Sequence, residues 1–308
     1  MRKYVLLMLG FVMLSCNLFK EKHQYTFVYG FNDEENIFGD HINKTINVIK
    51  KRLDYFGFDF EVSKQGNKNI HVKIIAYELD DQRINNLILN EGKLEFWELY
   101  KGEELYSFFS ELNVKYEENL KSPDTTSLFD RIVSMGYQGG PIIFNIKVKD
   151  TALFNEVLHR PESRFLLTYE YKHTKFLWGI PDSNNDVPLY VAKSNKENKP
   201  PLTGESIIEA VQVYDVVGRP SISIIMDRYG AITWERITGK AFNNNTCIAI
   251  TLNGLVYSAP GVTSGPIKGG MSEISGDFTL EQAQDLANVL SSHAPIPKLE
   301  LLQFSKSE

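Results

Sequence analysis

A pattern of strand, helix and strand occurs near each end of the chain, and it constrains the fold more than any other feature. Near the start, the apolar segment 25–30 predicts a strand, and apolar side chains at helical spacing predict a helix from Asp40 to Gly57. Two alternating segments joined by a Gly-Asn pair then predict a hairpin, and a shorter helix leads to a strand at 93–100. This order predicts an α+β sheet with helices on one face. The stripe of the first helix consists of Ile42, Ile46, Ile49, Leu53 and Phe56.

The closing part of the chain shows a similar order of elements. The segment SEISG predicts a strand. Thr279, with Gln282 three residues later, forms the capping-box pattern that begins a helix. Pro295 ends that helix before a last predicted strand, KLELLQF. About half of the chain lies between the opening and closing patterns, so we expect one domain to be inserted into another.

We therefore predict a discontinuous base domain, residues 25–100 and 262–305, with residues 101–261 inserted as a second α+β domain. Within the insertion, Thr203 is placed to cap a helix whose apolar residues recur at helical spacing. The segments PSISIIM and CIAITLNGLVYSAP predict strands, and DRYGAITWERITG predicts a helix between them. The apolar residues of the helix predicted after Thr203 are Ile207, Ile208 and Val211.

The N-terminal segment has the features of an export signal. Two basic residues precede an apolar run from Tyr4 to Leu14, which is shorter than the roughly 20 residues that a spanning helix needs. The end of the segment, Met-Leu-Ser-Cys, is similar to a bacterial lipobox. Residues 1–16 therefore predict a lipoprotein signal peptide, with Cys16 as the lipidated first residue of the mature chain. The alternative is a short membrane anchor that retains this segment.

Composition and charge argue against several classes of function. Cys247 is the only other cysteine, so no disulfide framework is predicted, and we expect a small buried hydrophobic side chain there. The net charge of −6 is spread along the chain without the basic stripe that a nucleic-acid partner would need. The six histidines lack metal-ligand spacing, and the segment SGPIKGG lacks the P-loop order. We predict no catalytic, cofactor-binding or metal-binding residues.

Four long segments in the last third of the chain resemble successive blocks of a known family. They are LTGESIIEAVQVYD, GRPSISIIMDRYGAITWERITG, IAITLNGLVYSAPGV and EISGDFTLEQAQDLANVL. They resemble the first periplasmic domain of SecD, the protein-export membrane subunit, and of its SecDF fusions. The resemblance extends over residues 25–302, although residues 101–200 match poorly. It implies a ferredoxin-like base domain that carries an inserted head domain. The family's proton-coupling groups lie in later membrane helices, so we expect no pump function here.

The resemblance implies a binding role in protein export. We expect an envelope lipoprotein, facing the periplasm and held to the membrane by its lipid anchor. It would bind unfolded or emerging polypeptide, or dock on Sec translocon components. The alternative is a structural or interaction lipoprotein that keeps this fold without a role in export. The candidate peptide contacts are Tyr169, Tyr171 and Trp178, and the candidate hinge glycines are Gly261, Gly265, Gly269 and Gly270.

Overall fold

The chain divides into two compact units, the first made of Met1–Glu91 and Ile296–Glu308 and the second of Gly92–Pro295. The computed structural model describes residues 21–32, 39–66, 68–118, 126–292 and 294–307. The predicted signal peptide lies outside these residues. Helices and strands are both abundant, which confirms the predicted α+β class. None of the helices within the described ranges has the length and apolar character that a membrane span requires.

The first unit is a four-stranded antiparallel sheet with two helices, in the strand order β15-β1-β3-β2. Along the chain its elements follow the order β-α-β-β-α-β, which is that of the split βαβ motif. The second crossover contains the whole of the second unit. The elements are β1 (His23–Phe31), α1 (Gly39–Asp54), β2 (Asp59–Gln65), β3 (Asn69–Ala76), α2 (Asp81–Leu89) and β15 (Leu299–Ser307).

Alternate strand residues and one helix face form the core of the first unit. Ile70, Val72 and Ile74 alternate along β3 and are fully buried, as the hairpin pattern predicts. The predicted stripe of α1 is confirmed, because its first four members are buried in the same cluster and Phe56 is partly buried against it. The alternate side chains of the strand and the apolar face of the helix therefore pack together in one core.

Arg52 is a fully buried cation on α1. Its guanidinium donates hydrogen bonds to the backbone carbonyl oxygens of Leu87 at 2.9 Å and of Asn90 at 2.6 Å. Because these carbonyls lie at the end of α2, the positive charge sits at the negative end of that helix's dipole. Burial lowers the pKa of Arg52 to about 10. The guanidinium thus joins α1 to the last turn of α2.

The second unit contains two sheets. The larger sheet has eight strands in the order β5-β6-β8-β7-β13-β12-β4-β9, and it is antiparallel except where β7 pairs with β13. The smaller sheet has the antiparallel order β10-β11-β14. The strands are β4 (Leu94–Glu98), β5 (Ile132–Met135), β6 (Ile142–Lys147), β7 (Thr174–Gly179), β8 (Asp186–Lys193), β9 (Leu202–Thr203), β10 (Ile207–Tyr214), β11 (Pro220–Met226), β12 (Ile248–Leu252), β13 (Leu255–Ser258) and β14 (Met271–Ser275). The helices are α3 (Tyr106–Glu118), α4 (Thr151–His159), α5 (Pro161–Arg164), α6 (Arg228–Asn244) and α7 (Leu280–Ser291).

The boundaries of the two units differ from those that we predicted. The strand expected at 93–100 in the base domain is β4, which pairs with β12 and β9 inside the second unit. Residues 262–295 also belong to the second unit, where Leu290 of α7 packs with Ile222 and Ile224 of β11. Local patterns identified these elements, but strand pairing over long sequence distances decided which unit contains them.

The helix predicted after Thr203 is wrong. A short 3₁₀ turn, Gly204–Ser206, is followed by strand β10, which pairs with β11 from Ile207 to Tyr214. The segment is rich in Ile and Val, whose branched Cβ atoms favour strands over helices. In contrast, the predicted helices at α6 and α7 are confirmed, and the capping box of Thr279 and Gln282 forms in both directions, at 2.9 and 3.1 Å.

We expected a small buried hydrophobic side chain at Cys247, and the residue is half-buried. It precedes β12 and lies against a small cluster that includes Trp97 and Leu177. Burial raises the pKa of its thiol. A thiol of raised pKa is a poor nucleophile at neutral pH, so the surroundings of Cys247 do not favour covalent chemistry.

Candidate polypeptide-binding cleft

The edge strand β5 of the second unit borders an apolar cleft of about 590 Å³. This strand ends the eight-stranded sheet, and among the described strands it pairs with β6 alone. The aromatic rings of Phe109 from α3 and Phe144 from β6 form part of its wall. Both rings are buried and meet edge to face, with centroids 5.0 Å apart. The cleft therefore has a wall that is continuous with the hydrophobic core.

The lining of this cleft includes several apolar side chains that are exposed to solvent. Tyr137 is the most exposed of these apolar side chains, at 72%, and each of the others is at least 36% exposed. Exposed apolar side chains that are grouped in this way mark interaction sites more often than isolated ones do. The remaining members are Tyr106, Phe129, Val133 and Met135.

Hydrogen bonds hold the rim of the β5 cleft in place. The carboxylate of Glu103 accepts the backbone N–H of Gly139 at 2.9 Å. The N–H of Gly102 donates to the carbonyl oxygen of Gly140, also at 2.9 Å. These two bonds join the turn that follows β5 to the turn that precedes α3. The aromatic ring of Tyr137 is consequently presented by an anchored turn.

The backbone of β5 offers hydrogen-bonding groups at the open edge. The N–H of Gly136 donates to the carbonyl oxygen of Ile143 at 3.1 Å, and Met135 lies opposite Phe144. Bonded and non-bonded residue pairs alternate in an antiparallel ladder, so the N–H and C=O of Met135 point away from β6. An open edge of this kind is a template for an additional strand.

The β5 cleft has little charge, since Glu103 is the single charged residue among the described residues that line it. Nearby, Arg131 and Asp150 form an ion pair at 2.7 Å. In the part of the chain that the structure describes, no three His, Cys, Asp or Glu side chains are grouped so that they could hold a metal ion. The arrangement suits the burial of apolar side chains and the pairing of backbone groups.

The aromatic residues predicted as peptide contacts do not line the β5 cleft. Tyr169 is exposed, and the ammonium of Lys172 lies 3.7 Å from its ring centroid. Tyr171 packs against Tyr100 with centroids 5.0 Å apart, and burial is the main reason that its pKa is raised. Trp178 donates its indole N–H to the side-chain oxygen of Asn155 in α4, at 2.8 Å. Contact of these three residues with a peptide therefore stays a prediction.

The candidate hinge glycines all lie inside the second unit. Gly261 faces Cys247 in an isolated antiparallel bridge, and the other three glycines have φ values between 72° and 91°. The connections between the two units run instead at residues 91–92 and 295–296. A hinge at these glycines thus stays a prediction, and it would now concern motion within the second unit.

The residues of the β5 cleft were not predicted from the sequence. Cys16, the predicted lipidation site, lies outside the described residues. Strand β5 is only four residues long and carries a bulge between Ile132 and Ser134, so it lacks a clear period-2 pattern. The available signal was the group of apolar residues at positions 132–137, which Ser134 and Gly136 interrupt and two glycines follow at 139–140.

Comparison with known proteins identifies the family. Residues 181–294 match the family model of the SecDF P1 head subdomain. The chain is 30% identical to the protein translocase subunit SecD of Rhodothermus marinus over 286 residues, which cover 83% of this chain and 45% of that protein. The chain contains a P1 domain of the SecD family. The SecD of Calditerrivibrio nitroreducens is also 30% identical, over 84% of this chain and 40% of that protein. The chain thus spans less than half the length of these curated relatives.

Solved structures of SecDF show the same fold. A crystal structure of SecDF in a super-membrane-facing form matches with a TM-score of 0.56 and 23% identity, over 93% of this chain and 30% of that chain. A structure of SecDF described as a membrane component that enhances protein export matches with a TM-score of 0.51 and 23% identity, over 90% of this chain and 98% of that chain. The predicted resemblance to SecD is confirmed. The β5 cleft, lined by residues between Gly102 and Phe144, precedes the part of the chain that the SecDF head model matches.

Proposed function

We propose that this chain is an envelope lipoprotein whose SecD P1 domain binds unfolded or emerging polypeptide in the β5 cleft. In this role it assists protein export without being a proton-driven pump. The observation that carries the proposal is the apolar cleft beside an open strand edge, where Met135 directs its backbone groups outward. The similarity to subunits named as protein translocase supports export as the context.

Strand addition explains how such a cleft would accept many different sequences. An extended polypeptide beside β5 would pair its backbone with the N–H and C=O of Met135. Alternate side chains would then enter the space between Tyr106, Val133 and Tyr137. Backbone pairing is independent of sequence, and apolar contact is non-directional. The regular edge of β5 is short, so binding should be weak and reversible, as a chain that passes its client onward requires.

A lipid anchor would keep this binding surface at the membrane. We propose that Cys16 is lipidated and that the domain faces the periplasm, with Sec translocon components as docking partners. A single acyl chain binds a bilayer only marginally, whereas the several chains of a bacterial lipoprotein hold it firmly. Mass spectrometry of the mature N-terminus tests the anchor. We expect a diacylglyceryl-modified Cys16, and an intact Met1 with the apolar segment retained would overturn this part of the proposal.

Photocrosslinking in cells tests the polypeptide partner. A photoreactive amino acid replaces Tyr137 in one variant and Tyr229 in the other, because both positions are about equally exposed, at 72% and 69%, and both lie in the second unit. We expect position 137 to capture emerging exported polypeptide or Sec components, and position 229 to capture much less. Exclusive recovery of unrelated envelope proteins would contradict the proposal and favour a structural or interaction role.

A further inference from the structure

A second cavity lies in the second unit, between the glycine-rich loop and the smaller sheet. Its volume is about 350 Å³. Ile248 and Ile250 of β12 line it from the core, residues 260–265 line it from the loop, and Met271 and Glu273 line it from β14. Ligand pockets span about 300 to 1,000 Å³, so this cavity is at the small end of the range. Its size suits one or two side chains and is small for a cofactor.

Trp234 of α6 forms part of the wall of this cavity. The residue lines the cavity and is only 3% exposed, and its indole Nε1 has no hydrogen-bond partner among the residues that the structure describes. Its ring meets Phe96 at 5.1 Å between centroids, so one side of the indole is packed. An indole N–H can only donate, and leaving it buried without an acceptor costs free energy. This N–H is shielded from the cavity, so an occupant would contact the indole through the apolar atoms of its ring.

The edge of β14 exposes backbone groups beside the same cavity. The N–H of Met226 donates to the carbonyl oxygen of Gly270 at 2.8 Å, which makes these two residues a bonded pair. The ladder continues without a register shift, so bonded pairs alternate with non-bonded pairs along it. Met271 and Glu273 therefore direct their N–H and C=O groups away from β11. In the described part of the chain β14 is an edge strand, so no further strand of its sheet pairs with these groups there.

We propose that the edge of β14 and this cavity form a second polypeptide-binding site, which takes an extended segment with an apolar side chain next to a basic one. The segment would add to β14 as a strand and place the apolar side chain in the cavity, against the ring of Trp234. The exposed carboxylate of Glu273 provides the charge complement for the basic side chain. The ammonium of Lys268, in the loop before β14, lies 3.8 Å from the carboxylate of Glu235.

This inference depends on the proposed function, because the same class of client fills both sites. The two edges lie on different sheets of one unit, β5 on the larger and β14 on the smaller. A client with two apolar segments would be held at both, and binding at one site would raise the effective concentration at the other. Weak individual sites would then retain a long unfolded chain better than a short peptide.

Fluorine NMR of the full chain labelled with 5-fluorotryptophan tests the second site. The chain has three tryptophans, and Trp234→Phe assigns the resonance of interest. The probe is an acetylated, amidated peptide that alternates leucine and lysine. We expect a saturable shift of the Trp234 resonance. Glu273→Pro, which removes an outward N–H at a position where an edge strand tolerates proline, should weaken binding about tenfold.

Two further variants separate the contributions of the β14 backbone, the Glu273 charge and the cavity to peptide binding. Glu273→Gln keeps the N–H and loses only the charge, so it should weaken binding less than Glu273→Pro does. Thr263→Phe narrows the cavity from the exposed loop without altering β14, and it should also abolish the shift. Crosslinking of the same peptide at Tyr137 is recorded in parallel, with Met135→Pro as the matched change at the other edge.

The outcomes distinguish the two proposals. A Trp234 shift that Glu273→Pro and Thr263→Phe suppress, while Met135→Pro leaves it intact, supports the second site. If the peptide still crosslinks at Tyr137 but the Trp234 resonance does not move, the second site is overturned and the proposed function stands. If the peptide neither crosslinks at Tyr137 nor moves the Trp234 resonance, both the second site and the proposed function are overturned. The second site is also overturned if the Trp234 resonance shifts equally in the parent, in Glu273→Pro and in Thr263→Phe.

Discussion

Removal of the buried guanidinium in the first unit should destabilise that unit alone. Arg52 is fully buried and supplies hydrogen bonds to the carbonyl oxygens of Leu87 and Asn90 at the end of α2. The substitution Arg52→Met keeps the aliphatic length and removes the donors. The matched control is Lys51→Met, which removes the same charge from an exposed neighbouring position of α1.

The size of the effect follows from the groups that lose their donors. Each buried carbonyl left without a partner costs about 1–3 kcal/mol. Two such groups would cost about 2–6 kcal/mol, but Arg52→Met also removes the desolvation cost of the cation, which its lowered pKa of about 10 indicates. We expect a net loss of about 2–4 kcal/mol for Arg52→Met. The exposed control should stay within about 0.5 kcal/mol of the parent.

Two probes report on the two units separately. All three tryptophans lie in the second unit, so their fluorescence during urea unfolding reports on that unit. Hydrogen exchange of the amides in residues 39–91 reports on the first unit. We expect Arg52→Met to lose protection in residues 39–91 while the tryptophan transition keeps its midpoint. Protection equal to that of the Lys51→Met control would refute the assigned role of the guanidinium.

Three other changes have expected outcomes. Gly136→Ala should distort the β5 cleft, because the added Cβ would lie 1.8 Å from the carbonyl oxygen of Ile142. We expect this variant to lose polypeptide crosslinking at position 137, and retained crosslinking would contradict the expectation. Gly270→Ala should lower the urea midpoint of the second unit for two reasons: the added Cβ would lie 2.7 Å from the Cβ of Ala231, and the φ of +72° is strained for alanine. An unchanged midpoint would contradict this expectation. Asp215 accepts two backbone N–H groups, and the bond from Arg219 is the largest cause of its lowered pKa. The stabilisation by its carboxylate should be complete above pH 3.8 and lost as the pH falls through the lower folded pKa, so an NMR titration midpoint at or above 3.8 would contradict this.

Elements with strong local patterns were predictable from the sequence. The stripe of α1 and the capping box of α7 depend on residues within one helix, and both are present in the structure. The helix expected at Ile207 failed because three apolar residues at helical spacing also fit a strand, and pairing with β11 decided between them. Tertiary pairing overrides local propensity in such cases.

Partners distant in sequence could not be predicted from local patterns. Strand β4 was predicted as a strand, yet its partners lie more than 100 residues away at β9 and β12, so it was assigned to the wrong unit. The β5 cleft needs α3, β5 and β6 to meet, and no single segment contains that information. The aromatic residues that we selected instead were conspicuous in composition, and two of them pack against the core.

Hydrogen exchange at a single amide tests the central claim most directly. The N–H of Met135 points to the open edge of β5, so it should exchange rapidly in the free chain. Saturation with an unfolded polypeptide should slow that exchange, while the inward N–H of Ser134 stays protected throughout. If Met135 exchanges equally fast when polypeptide is bound, strand addition at the β5 cleft is contradicted.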